Sequence, residues 1–339
     1  MSTLRALKTL NEVESGTLDG ANLEIKLTEA GYLAGFYSLL STRGQTRRIA
    51  SNALTMVAVG VSERAQNAIL ETATLYNQSA AAGIASSSAA MNLITLSLPS
   101  LTTAIENPIA WDLVTQSDFF ETNIKSVVSL FANITNTSLT TINDIIADPA
   151  STYSIAQSRG AMESIVNCPT AMGTFVNTTT AMDDVVARTE AFTILANNDV
   201  SINLVAQSTV AMATLTDAAI GIVIHIPTAL KIFASYETLW ADLVANLSTL
   251  SDNIYDMMVS FSGVDSTQFE TVSDIFANDV AMNQIASNRA SMVAILNEPT
   301  TLGLFCNSTQ ITIALTNPIS MGLLSTNVSA LNILIGNTI

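Results

Sequence analysis

A chain of 339 residues is long enough to bury a large core or to divide into domains, and 49% of it is hydrophobic against 12% charged. The formal net charge of −16 is unevenly placed: residues 1–64 hold seven bases and six acids, which leaves a net −17 beyond them. That acidic body excludes nucleic-acid binding, which needs clustered Lys and Arg, and the Arg47-Arg48 pair does not reverse it.

Taken in chain order, residues 1–50 read as a small helical region that caps or attaches the rest. They hold the best ordinary amphipathic segment, Leu23 to Leu40, which ends at Ser41-Thr42-Arg43-Gly44. The opening Met1-Ser2-Thr3-Leu4-Arg5 lacks the apolar run of a signal peptide. Residues 51–250 read as an array of decapeptide repeats. Weak units start at Ala53-Leu54 with Val57 and at Ala65-Gln66 with Ile69. The small, polar residues 78–90 suggest a loose unit or a hinge. From Met91 the spacing runs through Thr102, Trp111, Ile142 and Thr152, with an irregular stretch near 115–135 that predicts one longer helix. Residues 251–270 read as an interruption, and 271–339 as a second repeat block marked by Val272, Met282, Met292, Leu302, Met321 and Leu331. The last units lack a polar closing repeat, so that end is expected to dock on another subunit. The most apolar run, Ala218 to Phe233, is broken by His225, Pro227 and Lys231 and falls short of a bilayer span. No membrane insertion is expected.

The repeat is clearest between 161 and 215. Ala161-Met162, Ala171-Met172, Ala181-Met182, Ala191-Phe192, Ser201-Ile202 and Ala211-Met212 recur every ten residues. Three positions after each second member stand Ile165, Phe175, Val185, Leu195, Val205 and Leu215. With the small residue as position a and the large one as b, the third is e. Residues three and four apart share a helix face, so a, b and e form one apolar stripe, widened at f by Val166 and Val176. The predicted core is Met162, Ile165, Met172, Phe175, Met182, Val185, Phe192, Leu195, Met212, Leu215, Met282, Ile285, Met292 and Ile295.

One unbroken helix cannot use that stripe, since ten residues at roughly 100° each leave it about 80° out of register. Proline marks the breaks. Pro108, Pro149, Pro169, Pro227, Pro299 and Pro318 each stand three residues before b, behind Asn107, Asp148, Cys168, Ile226, Glu298 and Asn317. Asn or Asp before Pro is an N-cap followed by a first helical residue, where the missing N–H costs nothing. Asn177, Asn197, Ser208, Asp217 and Asn288 hold similar places in other units. Helices this short are unstable alone, so stability must come from stacking. The expected fold is therefore all-α, a solenoid or superhelical array of short helices with about ten residues per repeat. A β-solenoid is the rival, but it would need alternating β-branched residues and glycine corners.

Candidates for chemistry are few. His225 is the only histidine and is placed in column e, facing inward. Cys168 and Cys306 read as small buried hydrophobes, without disulfide or zinc spacing. Asp183-Asp184 and the pair Asp144 and Asp148 read as helix-face acids, since no calcium-loop pattern contains them. Trp111 and Trp240 fall in column b, which favours core over a sugar platform. No phosphate loop, nucleophile elbow or dinucleotide fingerprint occurs. No catalytic residue, metal ligand or cofactor is expected.

Arrays of Ala-Met-x-x-Ile/Val-x-x-Ser/Asn at this spacing resemble those in virion proteins of tailed bacteriophages, particularly tail-fibre and other appendage proteins. Gly31-Tyr32-Leu33-Ala34-Gly35-Phe36-Tyr37-Ser38-Leu39-Leu40, followed by Gln45-Thr46-Arg47-Arg48-Ile49-Ala50-Ser51, is similar to the lead-in of such arrays. The resemblance covers most of residues 31–339 through motifs of low complexity, and the stretches near 115–135 and 245–270 depart from it. It implies a non-enzymatic structural component of a phage particle, assembled in the host cytoplasm and located in the virion. Homo-oligomers, trimers among them, other virion proteins and a host-surface receptor are the partners it implies. The leading expectation is a fibre or stalk segment attached through its N-terminal region. The alternatives are a capsid- or collar-associated decoration and a soluble scaffold binding a peptide or sugar.

Overall fold

The computed structural model describes residues 2–336, without the side chains of Ser2, Leu239, Asp242 and Asn246. These residues form thirty α-helices, all but four of six to ten residues, with one 3-10 turn at Ser266–Gln268 and no strand. The all-α fold follows, and the β alternative falls.

The joints show why the period is ten. At Asn107, Asp148, Ser158, Ser208, Glu298 and Asn317 a single residue ends one helix and caps the next, held in extended conformation (Asp148 φ −90°, ψ 115°; Glu298 φ −110°, ψ 106°). Elsewhere the link is slightly longer. Consecutive helices turn sharply, by 100° between Ser88–Thr95 and Leu98–Glu106 and by 110° between Asp217–Ile224 and Pro227–Ser235. The six prolines of the grid are first helical residues, and the seventh, Pro99, is the second residue of Leu98–Glu106. Of the residues before them, Asn107, Asp148, Glu298 and Asn317 accept N–H bonds from the first turn, while Cys168 and Ile226 make no such side-chain bond. Asn177 and Asn197, expected to open helices, close them instead. Each Nδ2 donates to the carbonyl four residues earlier, on Gly173 and Thr193, at 2.8 Å.

In much of each unit a helix rests on its successor and on the third helix along. In the unit formed by Met1–Asp184, Arg43–Ser51 packs on Ser79–Ala85, Glu63–Glu71 on Leu98–Glu106, and Asp118–Phe131 on both Ser88–Thr95 and Arg159–Val166. In the unit formed by Val185–Ile339, Thr189–Ala196 packs on Asp217–Ile224, and Leu250–Ser262 on both Asp217–Ile224 and Arg289–Asn297. Three helices, about thirty residues, thus separate partners that bury each other's stripe. Residues at the joints reinforce this step. Ser158 Oγ accepts from Ala161 N–H and donates to Phe131 carbonyl at 2.9 Å; Ser308 Oγ donates to Phe276 carbonyl at 2.6 Å.

Several sequence expectations change. Two compact units divide at 184/185, inside helix Thr179–Val186. The irregular stretches keep the three-helix step: Asp118–Phe131, the longer helix predicted near 115–135, and Leu250–Ser262 are full members of it. Ser2–Glu14 stands outside the step as a cap, packed on Ala30–Leu40 and Ala53–Val59, and Glu237–Asn246 departs from it by packing on Arg289–Asn297, four helices along. Residues 78–90, read as a loose unit or a hinge, hold helix Ser79–Ala85, the joint Ser86-Ser87 and the start of Ser88–Thr95, with Ala80, Ala81 and Ile84 buried. Leu54 and Val57, read as stripe residues, are exposed, and Thr55, Ala58 and Val59 take the inner face.

Candidate functional site

The inner columns are close-packed. Met162, Ile165, Met172, Phe175 and Met182 in the first unit are buried, as are Val185, Phe192, Leu195, Met282, Ile285, Met292 and Ile295 in the second. Met212 and Leu215 are only half-buried. Helix Thr209–Thr214 stops early, Leu215 turns extended (φ −61°, ψ 130°), and Thr216 caps the next helix. The step shrinks to eight residues, so Ile220 and Val223 become the buried pair.

That slip also displaces His225, which is exposed at the C-terminus of Asp217–Ile224 and not inward-facing. Its Nδ1 lies 2.7 Å from Gly221 carbonyl and its Nε2 3.5 Å from Asp256. The acid pairs are structural. Asp184 accepts from Thr152 Oγ1 at 2.7 Å while Asp183 is exposed. Asp148 caps Pro149–Gln157, and Asp144 closes a capping box with Thr141, whose backbone N–H and hydroxyl bonds, with those of Thr140, hold its carboxyl below the usual range. Cys168 and Cys306 are buried free thiols; burial pushes both pKa values up, that of Cys306 to about 11, so both stay protonated at neutral pH. Among the described residues no three of His, Cys, Asp and Glu converge as metal ligands.

What sequence reasoning missed is a larger duplication. Thr141-x-x-Asp144-Ile145-x-Ala147 returns 130 positions later as Thr271-x-x-Asp274-Ile275-x-Ala277, and Arg159, Met162, Ile165, Pro169, Gly173 and Phe175 return at the same offset. The geometry returns with it. A buried tryptophan meets a phenylalanine edge-on in each copy: Trp111 and Phe131 at 6.2 Å, Trp240 and Phe261 at 5.0 Å between ring centres. Each phenylalanine lies near the end of a long helix, and its carbonyl accepts from the cap residue Ser158 or Asn288, both at 2.9 Å. Two residues on, Asn133 (φ 53°) and Gly263 (φ 71°) take the left-handed conformation that releases a non-helical loop. Capping boxes at Thr141/Asp144 and Thr271/Asp274 then restart the helices. The signal was a 130-residue offset, hidden because the ten-residue grid dominates every shorter comparison.

The copies differ on the outside. Between Val272–Ala277 and Pro299–Cys306 an open recess of about 420 Å³ is lined by Ser273, Phe276, Thr300, Gly303, Leu304 and Asn307. At the corresponding place in the first copy Thr174 Oγ1 donates to Asn143 Oδ1 at 3.1 Å and ties the two helices together. The recess offers hydroxyls, an amide and an apolar edge, but no acid or base for catalysis.

No protein-family model matches this chain, and no curated protein is recognisably similar to it.

Proposed function

We propose that this chain is a non-enzymatic structural component of a phage particle, a fibre or stalk segment located in the virion and attached through its N-terminal region. The observation that carries this reading is the three-helix step. The buried columns serve largely to hold one short helix on another about three helices away, which suits a protein whose work is to supply length and resist force. The N-terminal cap fits attachment. Glu12 and Glu14 of Ser2–Glu14 are ion-paired with Lys26 and Arg48, and Arg64 pairs with Glu24, leaving Arg5, Arg43 and Arg47 exposed toward a partner. Other virion proteins, further copies of the chain and a host-surface receptor are its proposed partners.

Gold-labelled antibody against the purified chain should decorate appendages of intact phage particles from the producing culture. Particles without label, from a culture that makes the protein, would overturn the assignment. A second reading, a scaffold that binds a peptide or sugar, draws on the recess at Gly303 and Leu304. It would be favoured by saturable binding that Gly303→Phe abolishes.

A further inference from the structure

We propose that the helix face carrying Arg43 and Arg47, together with the loop tip Leu75-Tyr76, docks a short acidic segment of another protein that carries an apolar side chain among its carboxylates. The proposal rests on the attachment reading above and names the surface and the chemistry of its partner.

Three observations carry it. First, the two guanidinium groups lack a counterion. Arg43 and Arg47 stand one turn apart on Arg43–Ser51, so they share a face, and both are exposed. The helices packed most closely on this one, Ala30–Leu40, Ala53–Val59 and Ser79–Ala85, contain no charged residue. Arg48 on the same helix is by contrast satisfied, donating to Glu14 Oε1 at 2.7 Å. Second, the loop beside the pair is fixed at both ends. Thr46, one position before Arg47, is hydrogen-bonded to Asn77, whose Nδ2 donates to Leu40 carbonyl. At the other anchor Asn107 Nδ2 donates to the carbonyls of Leu70, Glu71 and Ala73 at 2.9, 3.1 and 3.0 Å. Between these anchors Leu75 and Tyr76 are held out, 69% and 82% exposed. An aromatic on a loop already ordered loses little freedom on binding and so serves well as an anchor. Of the acids nearby, Glu71 accepts from the Tyr37 hydroxyl, and Glu106 adjoins Asn107 at the anchor that does not involve Thr46. Third, the rest of the chain narrows the partner. Residues beyond 64 carry a net −17, which repels any extended acidic surface, whether an anionic bilayer or a second copy of this chain. Screening at physiological salt confines the pull of Arg43 and Arg47 to about 8 Å. A short segment feels that pull without meeting the body.

Fluorescence anisotropy of the full chain with a fluorescein-labelled peptide of alternating glutamate and leucine tests this. Binding should saturate, weaken as salt rises from about 0.05 to 0.5 M, and be absent for the matching lysine–leucine peptide. Arg43→Glu and Arg47→Glu should each weaken it about tenfold or more, and Tyr76→Ala about threefold or more. Circular dichroism should not change, because all three side chains are exposed. Lys231→Glu, exposed in the other unit, should leave binding unaltered. No saturable binding, an equal loss in Lys231→Glu, or affinity indifferent to both arginine substitutions would overturn the proposal. So would phosphatidylserine vesicles that capture the chain through Arg43 and Arg47. Peptide binding in the expected pattern, with phage particles left unlabelled, would remove the virion reading and keep this surface; labelled particles without peptide binding would do the reverse.

Discussion

The corner around Trp111 and the corner around Trp240 use one plan with different local chemistry, and the contrast separates what the plan needs from what it tolerates. Both keep a buried tryptophan edge-on to a phenylalanine, a left-handed residue after the long helix and a capping box. They differ in how the indole is satisfied. Trp240 Nε1 donates to Ala290 carbonyl at 3.3 Å, while Trp111 Nε1 is buried without a hydrogen-bond partner. They differ again at the residue facing the phenylalanine. Gly160 lies so close to Phe131 that a Cβ would sit 2.4 Å from the ring, whereas the second copy carries Ala290 at that place. The tryptophan–phenylalanine contact is therefore the fixed element, and the small residue beside it adjusts to the ring's position.

The largest test of that contrast removes the anchors. Trp111→Ala and Trp240→Ala should each cost about 3–5 kcal/mol in urea unfolding followed by circular dichroism. The Phe substitutions should split them. Trp240→Phe loses a hydrogen bond, and Trp111→Phe relieves an unpaired N–H, so the second should be milder by about 1 kcal/mol. Equal costs would mean the indole N–H groups are equivalent after all.

Gly160→Ala should destabilise by about 1–3 kcal/mol through the Phe131 clash, while Ala290→Gly should cost under about 1 kcal/mol. Matching effects would break the claim that the two rings sit differently. Ser158→Ala removes both a cap and the bond to Phe131 carbonyl, an expected loss of about 1–2 kcal/mol. Ser158→Asn should be nearly neutral, because Asn288 does the same work in the other copy.

The smallest expected effect concerns pH and belongs to the second copy alone. Where the first has Cys168, the second has Glu298 capping Pro299–Cys306. Burial raises the Glu298 pKa, but hydrogen bonds from Thr301 and Thr300 outweigh it and hold the value below 4.5. Its stabilisation is therefore complete above 4.5 and is lost as pH falls through the lower folded-state value. Thermal melts from pH 7 to 3 should show Glu298→Gln less stable than wild type at neutral pH, with the gap narrowing in acid. A constant gap would mean the carboxylate contributes nothing through its charge.

How much was legible in the chain follows from the range of each interaction. Helix starts at the six prolines, the b-to-e spacing and the longer helix near 115–135 rest on contacts within a few residues, and local chemistry writes those into the sequence. The phase of weak units was less legible. Leu54 and Val57 have the right spacing but face out, because which side of a short helix is buried depends on what lies beyond it. His225 was misplaced for a related reason: one early stop after Thr214 brought the next columns, at Ile220, Leu230 and Trp240, forward by two.

The amino-acid sequence by itself determined that this chain breaks into short helices, where most of them begin and which residues prefer water. The folded structure alone decided that many partners lie three helices apart and that the division falls at 184/185. The physical reason is that a ten-residue helix has too little surface to specify its neighbour. The bend at each cap selects which later helix arrives above it, and that selection exists only once the turns have been stacked.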